Sequence, residues 1–382
     1  MNTKRIMLLS PYHGGSHQAW AEGYQRNSSI SVDLLTLPAH FWKWRMHGGA
    51  ITLARRFLHE TECHERRPDL ILATDMLDLT TFLTLTRQQT AGTAVVLYMH
   101  ENQLTYPLPT DGTKGPMRRQ MGERDRHYAF INFTSMLAAD RVFFNSKFHL
   151  DSFFNALPPF LRHYPDYKEL NAVDQLIEKS RVIPVGIDLR RLDLVPSPPN
   201  NTISPPLIIW NQRLEYDKNP LRFVRSLKQI ADEGIPFRAA LCGERFGKPD
   251  SEFTDLLKQL GDRIIFNGYA NDTDYRQLLW EAAIVVSTAD HEYFGISTVE
   301  AIYAHTFPLL PTRLSYPEII PSPYHNFCLY KGQQDLLGKL RWALKESDAI
   351  RSIATELAEQ LAVYDWNVVA PRYDSALAEL MR

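Results

Sequence analysis

Two carboxylates pose the first chemical question. The stretch HEYFGISTVEA, residues 291–301, carries Glu292 and Glu300 with Phe294-Gly295 and two hydroxyl residues between them. Paired carboxyl groups bring sugar-bond cleavage to mind, because glycosidases set two of them about 5–10 Å apart across the scissile bond. On one continuous helix, eight steps of about 1.5 Å would separate the two backbone positions by about 12 Å and turn them away from each other. The Phe-Gly pair argues against a continuous helix. Ser297-Thr-Val-Glu300 fits a capping box, with Ser297 as the N-cap and Glu300 three residues on. That reading accounts for Glu300 and leaves Glu292 unexplained.

Other polar residues gather at similar places. NQRLEYDKNP (211–220) holds Arg213 and Lys218, followed by Pro220, which suits the first position of a helix. An arginine fork and a lysine point charge there suit a diphosphate, and equally suit a pair of surface cations. SPYHGGSHQAW (10–20) places Gly14-Gly15 before a helix that Ser16 is expected to cap. Such a turn either lets a ligand approach backbone N–H groups or is simply tight. His100 and Asn102 lie in HEN, after AVVLYM, as site residues or as a solvated loop. Asp75 follows its own apolar run in the same way or caps the next helix. Asp272-Thr-Asp274 has the look of a metal-binding DxD motif, but its place ahead of a helical pattern predicts N-terminal capping.

The elements that must position these residues are short apolar runs. RIMLLS (5–10), VDLLTL (32–37), DLILAT (69–74), AVVLYMH (94–100), RVFFNS (141–146) and SRVIPVGI (180–187) alternate with helical patterns. This predicts parallel βαβ units. DLVPSPPNNTISPP (193–206) breaks the series, and the alternation restarts at PLIIWNQRL (206–214), FRAALCGE (237–244), DRIIFNGY (262–269), AAIVVSTA (282–289) and TFPLLPT (306–312). The expected organisation is α/β: a first Rossmann-like domain over 1–195, a linker over 196–206, a second over 207–364 and a closing helix over 365–382. Open parallel sheets bind ligands beyond their strand C-termini, so a cleft between the two domains is the expected site.

Composition narrows the class only modestly. The net charge is −2, and residues 1–190 carry 22 Lys+Arg against 19 Asp+Glu, a faint bias towards an anionic partner in the first half. No apolar run approaches the ~18 residues of a membrane-spanning helix. RIMLLS reads as a strand and not as the apolar part of a cleaved leader. Cys63, Cys242 and Cys328 have no metal-ligand spacing, and a cytoplasmic setting is expected.

Taken together, the strand-end Arg213/Lys218 pair, the E-x7-E stretch with Phe-Gly inside it, EAIYAHTFPLL, the Gly14-Gly15 turn and the terminal DWNVVAPRYDSAL resemble retaining glycosyltransferases of the GT-B fold, family four type. The resemblance covers nearly the whole chain. It implies two Rossmann-like parallel-sheet domains facing a cleft, with the C-terminal helix crossing back to the first. SPYHGGSHQAWAEGY, LPAHFWKWRMHGGA, LATDMLDLTTFL and YMHENQLTYP are further similar to the N-terminal domain of the tRNA-queuosine α-mannosyltransferases, a branch of that group.

This resemblance implies a nucleotide-sugar donor, GDP-mannose, used as substrate with no cofactor and no metal. Arg213 and Lys218 would hold the diphosphate, and Glu300 the ribose hydroxyls. Glu292, with the amides of Phe294, Gly295 and Ile296, would hold the transferred sugar. His100 would lie at the reacting centre, Gly14 and Gly15 would let the backbone approach the donor, and Glu244, Asn267 and Tyr269 would lie near the base. Configuration would be retained by same-face substitution. The implied acceptor is queuosine in a tRNA anticodon loop, with Asn102 near it. RNA loops are read by aromatic stacking and by cations on phosphates. Trp42 and Trp44 in HFWKWRMHGG, and Arg118, Arg119 and Arg124 in KGPMRRQMGERDRHY, suit those tasks, against core packing and a solvated helix face as the alternatives. No obligate protein partner is expected. The rival expectations are a GT-B transferase with another nucleotide sugar and a lipid or glycan acceptor, and a catalytically idle binding protein. The intact Arg213, Lys218, Glu292 and Glu300 speak against the last.

Overall fold

The computed structural model describes residues 4–64, 67–107, 116–194, 205–244 and 250–381, with the backbone alone for 63, 64 and 116–125. The chain divides into two compact units, Met1–Ile187 with Trp366–Arg382, and Asp188–Asp365. Of the predicted linker, 196–204 lies outside the described residues. Residues 188–194 go with the second unit, and the reason is packing. Leu192 is fully buried in a cluster with Leu207, Ile209 and Leu279, and the Trp280 indole donates to the Leu192 carbonyl at 2.9 Å.

The first unit contains β1 (Arg5–His13), β2 (Ser31–Pro38), β3 (Leu70–Thr74), β4 (Ala94–Met99), β5 (Arg141–Phe144) and β6 (Ser180–Val182). They form one sheet in the order β2-β1-β3-β4-β5-β6, parallel at every pairing. Ile6, Met7, Leu8 and Leu9 of β1 are all buried, as a strand covered on both faces requires. The strand expected over 180–187 stops at Val182, two residues before Pro184, which has no N–H to give a ladder.

The second unit contains β7 (Leu207–Trp210), β8 (Arg238–Cys242), β9 (Ile264–Gly268), β10 (Ala282–Val286), β11 (Phe307–Pro311) and β12 (Leu329–Tyr330). Their order is β12-β11-β10-β7-β8-β9, again parallel throughout. The two-residue β12 is too short to carry a sequence pattern. Cys242 and Cys328 are buried free thiols, and burial pushes both up to about 12.

The closing helix, Trp366–Ala378, packs within the first unit. Trp366 docks where Gly23 and Gly186 leave room: a Cβ on either would come within 2.1 or 2.3 Å of its ring. The Trp366 amide donates to the Ile187 carbonyl at 3.1 Å, and the Asp374 carboxylate accepts from Tyr24 at 2.8 Å and from the Ser29 amide at 2.7 Å. Among the described residues, no helix is long and apolar enough to cross a membrane.

Candidate active site

In the second unit the site is built beyond β7 and its neighbour β10. After Trp210 the chain leaves the sheet, and the Gln212 amide nitrogen anchors it by donating to Ser287 at 3.1 Å and Tyr316 at 3.2 Å. A 3-10 turn, Tyr216–Lys218, follows. Asn219 then takes a left-handed conformation and caps the helix Pro220–Asp232, its side chain accepting from the Arg222 amide. Proline occupies the first helical position, as expected. The amides of Asp290 and His291 donate to the Asp217 carbonyl at 2.7 and 3.2 Å, tying this turn to the loop beyond β10.

This tie brings Lys218 to Glu292. The Lys218 ammonium donates to the Glu292 Oε2 at 3.1 Å and to the His291 carbonyl at 2.7 Å, and it lies 3.2 Å from Asp217 Oδ2. Burial opposes the ammonium charge, but Glu292 and Asp217 outweigh it and hold the Lys218 pKa above its ordinary value. Burial likewise opposes the Glu292 carboxylate, and Lys218 more than offsets that, holding it below the usual range. His291, beside them, is pushed down to about 4, mainly by burial and then by the Lys218 charge. A desolvated cation with two carboxylates is kept in a fixed orientation, which suits stabilising an anion that forms next to it. Arg213 lies about half-exposed at the rim, 3.1 Å from Glu215.

Glu300 falls on the helix Ile296–Tyr303. The expected capping box is absent. The helix begins two residues earlier, with Gly295 as its N-cap at φ +101°, so Ser297 is already inside the first turn. Only glycine adopts that backbone conformation without strain. Glu300 is instead a buried acceptor: Tyr275 donates to its Oε2 at 2.9 Å and Arg191 to its Oε1 at 2.5 Å. Asn211, after β7, donates to the Tyr275 hydroxyl at 3.1 Å and to the Ser297 carbonyl at 2.7 Å. Of the three amides expected near the sugar, that of Phe294 donates to Glu292 itself at 3.5 Å. Asp217, Arg191, Tyr275 and Asn211 were all missed in the sequence reading. Of these only Asp217 had a signal, as the direct neighbour of Lys218.

Glu244, Asn267 and Tyr269 lie at the C-terminal ends of the paired strands β8 and β9, all exposed, Tyr269 at 76%. Asp272 and Asp274 open the helix Asp272–Glu281. Asn271 is its cap, accepting from the Asp274 amide, and Asp272 pairs with Arg191 and Arg276. This is the helix-start role expected for the motif. Among the described residues, no group of three His, Cys, Asp or Glu side chains is placed to hold a metal.

In the first unit the polar residues lie beyond β3 and β4. The buried Asp75 carboxylate accepts from the His100 amide at 2.9 Å. Burial, and then Glu101, raises its pKa well above the ordinary value. The His100 ring is held well below its ordinary pKa, chiefly by burial and then by His17 and His149. It lies 4.4 Å from the His17 ring, 4.6 Å from Trp20 and 4.8 Å from Tyr98. Trp20 in turn donates to Tyr373 of the closing helix at 3.1 Å. Gly14 is extended, and a Cβ there would meet the Ala39 Cβ at 2.5 Å; Gly15 has φ +54°. The helix starts at Gly15 with Gly14 as cap, so Ser16 is not the cap expected of it.

The residues expected at the acceptor part company. Asn102 is fully buried, and its Oδ1 accepts from the amides of Leu104 and Thr105 at 3.1 and 2.9 Å, so it shapes its own loop. Trp42 is partly buried, packed with Met46, Met76 and Tyr128. Trp44 is 61% exposed, and Phe41 beside it 80%. Arg118, Arg119 and Arg124 fall on the helix Pro116–Ala138, where their side chains lie outside the described residues.

Comparison with known proteins bears on both units. Residues 5–187 match the family model of the tRNA-queuosine alpha-mannosyltransferase N-terminal domain, and residues 198–361 match that of glycosyl transferases group 1. The chain is 32% identical over 326 residues to the tRNA-queuosine alpha-mannosyltransferase of Drosophila melanogaster, covering 83% of this chain and 81% of that protein. Among solved structures it is similar to Anabaena HepE in complex with UDP and glucose, with a TM-score of 0.64 at 16% identity over 98% of this chain and 100% of that one. It is also similar to sucrose-phosphate synthase from Thermosynechococcus elongatus, with a TM-score of 0.66 at 15% identity over 99% of both chains. At those identities the structural likeness shows the fold, which is GT-B.

Proposed function

The chain belongs to the tRNA-queuosine alpha-mannosyltransferase family and is a glycosyltransferase, and on that premise we propose that it moves mannose from GDP-mannose to the cyclopentenediol of queuosine in a tRNA anticodon loop. The observation that carries the donor side is the buried Lys218 ammonium fixed between Glu292 and Asp217 at the end of a central strand. In this reading Lys218 and Arg213 stabilise the departing diphosphate, Glu292 holds sugar hydroxyls, and Glu300 accepts from the ribose. The bond from the anomeric carbon to the phosphate oxygen breaks, and its electron pair leaves with GDP. The acceptor hydroxyl oxygen bonds to that carbon from the same face. Its proton passes to the departing diphosphate, so configuration is retained and no general base is required. The charge is met by Lys218 and Arg213, and the reading calls for neither metal nor cofactor. His100, a neutral imidazole, suits a hydrogen bond to a sugar hydroxyl.

On the acceptor side, exposed Phe41 and Trp44 offer stacking surface, which is how single-stranded RNA bases are commonly held, while the Lys43 ammonium lies over the Trp42 and Tyr128 rings at 5.3 and 5.6 Å. The test incubates the protein with GDP-mannose, and separately with other GDP- and UDP-sugars, on tRNA with and without queuosine. Nucleosides are then weighed by mass spectrometry. The expected result is a gain of one hexose on queuosine with GDP-mannose alone. No gain on queuosine with any donor would overturn the acceptor assignment, and a gain only with a UDP-sugar would overturn the donor.

A further inference from the structure

Glu300 does not stand alone, and the residue that holds it comes from far along the chain. Arg191, 109 positions away, belongs to the 3-10 segment Arg190–Leu194 that opens the second unit. Its guanidinium spans two acidic groups, with Nη1 on Asp272 and Nη2 on Glu300 Oε1. It also lies 6.0 Å from the centre of the Tyr275 ring. The segment that carries it is held down by the Trp280 bond to the Leu192 carbonyl and by Arg276, which donates to the Arg191 carbonyl at 3.1 Å. Arg191 is therefore fixed at both backbone and side chain.

We propose that Arg191 is a positioning residue for donor binding, setting the Glu300 carboxylate in the orientation that receives the ribose; this rests on the ribose role of Glu300 given above. A glutamate has three rotatable bonds, and without partners the buried Glu300 carboxylate would sample several directions. Here Arg191 takes one oxygen and Tyr275 the other, which fixes the carboxylate plane. An ionised carboxylate has about four acceptor positions. Two are used, and two remain for the vicinal hydroxyls of a ribose. Asp272 holds the second edge of the arginine fork, so the planar bidentate geometry of arginine matters, and lysine reproduces the charge without the fork.

The experiment measures dissociation constants for GDP and UDP by titration calorimetry, and KM and kcat for the sugar nucleotide, in wild type, Arg191→Ala, Arg191→Lys, Glu300→Gln and the Arg191→Ala/Glu300→Gln double variant. Thermal melting accompanies each. Arg191→Ala is expected to weaken nucleotide binding and raise KM about tenfold, with the larger change in KM rather than kcat. Arg191→Lys should recover part of the loss. The double variant should bind no worse than Glu300→Gln, because Arg191 acts through Glu300. If Arg191→Ala does not fold, Arg191→Lys must still raise KM. Wild-type affinity in the Arg191 variants alongside a weakened Glu300→Gln would overturn the inference and leave the ribose role of Glu300 standing. Fully additive losses would overturn it too. Unchanged affinity in Glu300→Gln would remove the ribose role and this inference with it.

Discussion

Lys218 and His100 each lie beyond the C-terminal end of an interior strand, one in each unit, and each is withdrawn from water. Lys218 keeps its charge, because Glu292 and Asp217 accompany it. His100 gives its charge up, because its surroundings are the rings of Trp20, Tyr98 and His17, and the raised Asp75 offers it no firm counter-charge. Burial alone therefore does not decide protonation. What is buried with the group does. The second unit presents fixed charge, as a diphosphate donor needs. The first presents neutral, shape-defined hydrogen-bonding groups braced from behind by the closing helix through Trp20 and Tyr373.

The sharpest way to break this contrast is Lys218→Ala. In the proposed reaction it removes charge stabilisation at the leaving group, and turnover should fall about 100–1000-fold. It also strands two carboxylates, and stability should fall by about 3–5 kcal/mol in urea titrations. A variant as stable as wild type would mean the ammonium is not what holds the pair. The first unit has an apolar counterpart in Trp366→Ala, which empties the space beside Gly23 and Gly186. A loss of about 3–5 kcal/mol is expected there too, with nucleotide affinity unaltered, since Gly23, Gly186, Tyr24 and Tyr373, against which the indole packs, all belong to the first unit. Weakened nucleotide binding in that variant would show that the two regions are not separable in this way.

Acidification sharpens the contrast further. Folded His291 titrates at about 4 against an ordinary 6.5, so between those values the unfolded chain binds a proton that the folded chain refuses. Its contribution to stability is therefore complete above about 6.5 and is lost as pH falls towards 4. His291→Asn should flatten the slope of stability against pH in that window, measured by denaturant titration at several pH values. An unchanged slope would mean that the ring is solvated in solution.

The smallest effect on stability is expected for Phe41→Ala and Trp44→Ala, within about 0.5 kcal/mol because both side chains are exposed. If they stack on RNA, tRNA affinity should drop by about 1–3 kcal/mol with little change in its salt dependence. Binding equal to wild type would leave these rings with no part in RNA contact.

Much of this molecule was legible in its linear sequence, and the reason is physical. A parallel strand buried on both faces must be apolar along its length, and the turn beyond it is where polar groups can meet a ligand, so RIMLLS, AVVLYM and AAIVV disclosed both the class of fold and the places to look for Arg213, Lys218, His100 and Glu292. Local capping was less legible. Ser16 and Ser297 were sound caps by residue type, but in each case the helix opens on a glycine just before them. What only the tertiary structure decided is who partners whom. Glu300 looked like half of a capping box and is instead held by Arg191 and Tyr275. Lys218 suited a diphosphate clamp and a surface cation equally by type and spacing, and it is buried because the loop after β10 returns over it. Trp366 needs two glycines that lie 163 positions apart (Gly23 and Gly186) in order to dock. Residue type and spacing report what a segment does along its own axis. Pairing between distant segments depends on where each loop comes back to the sheet, and no local period in the sequence records that.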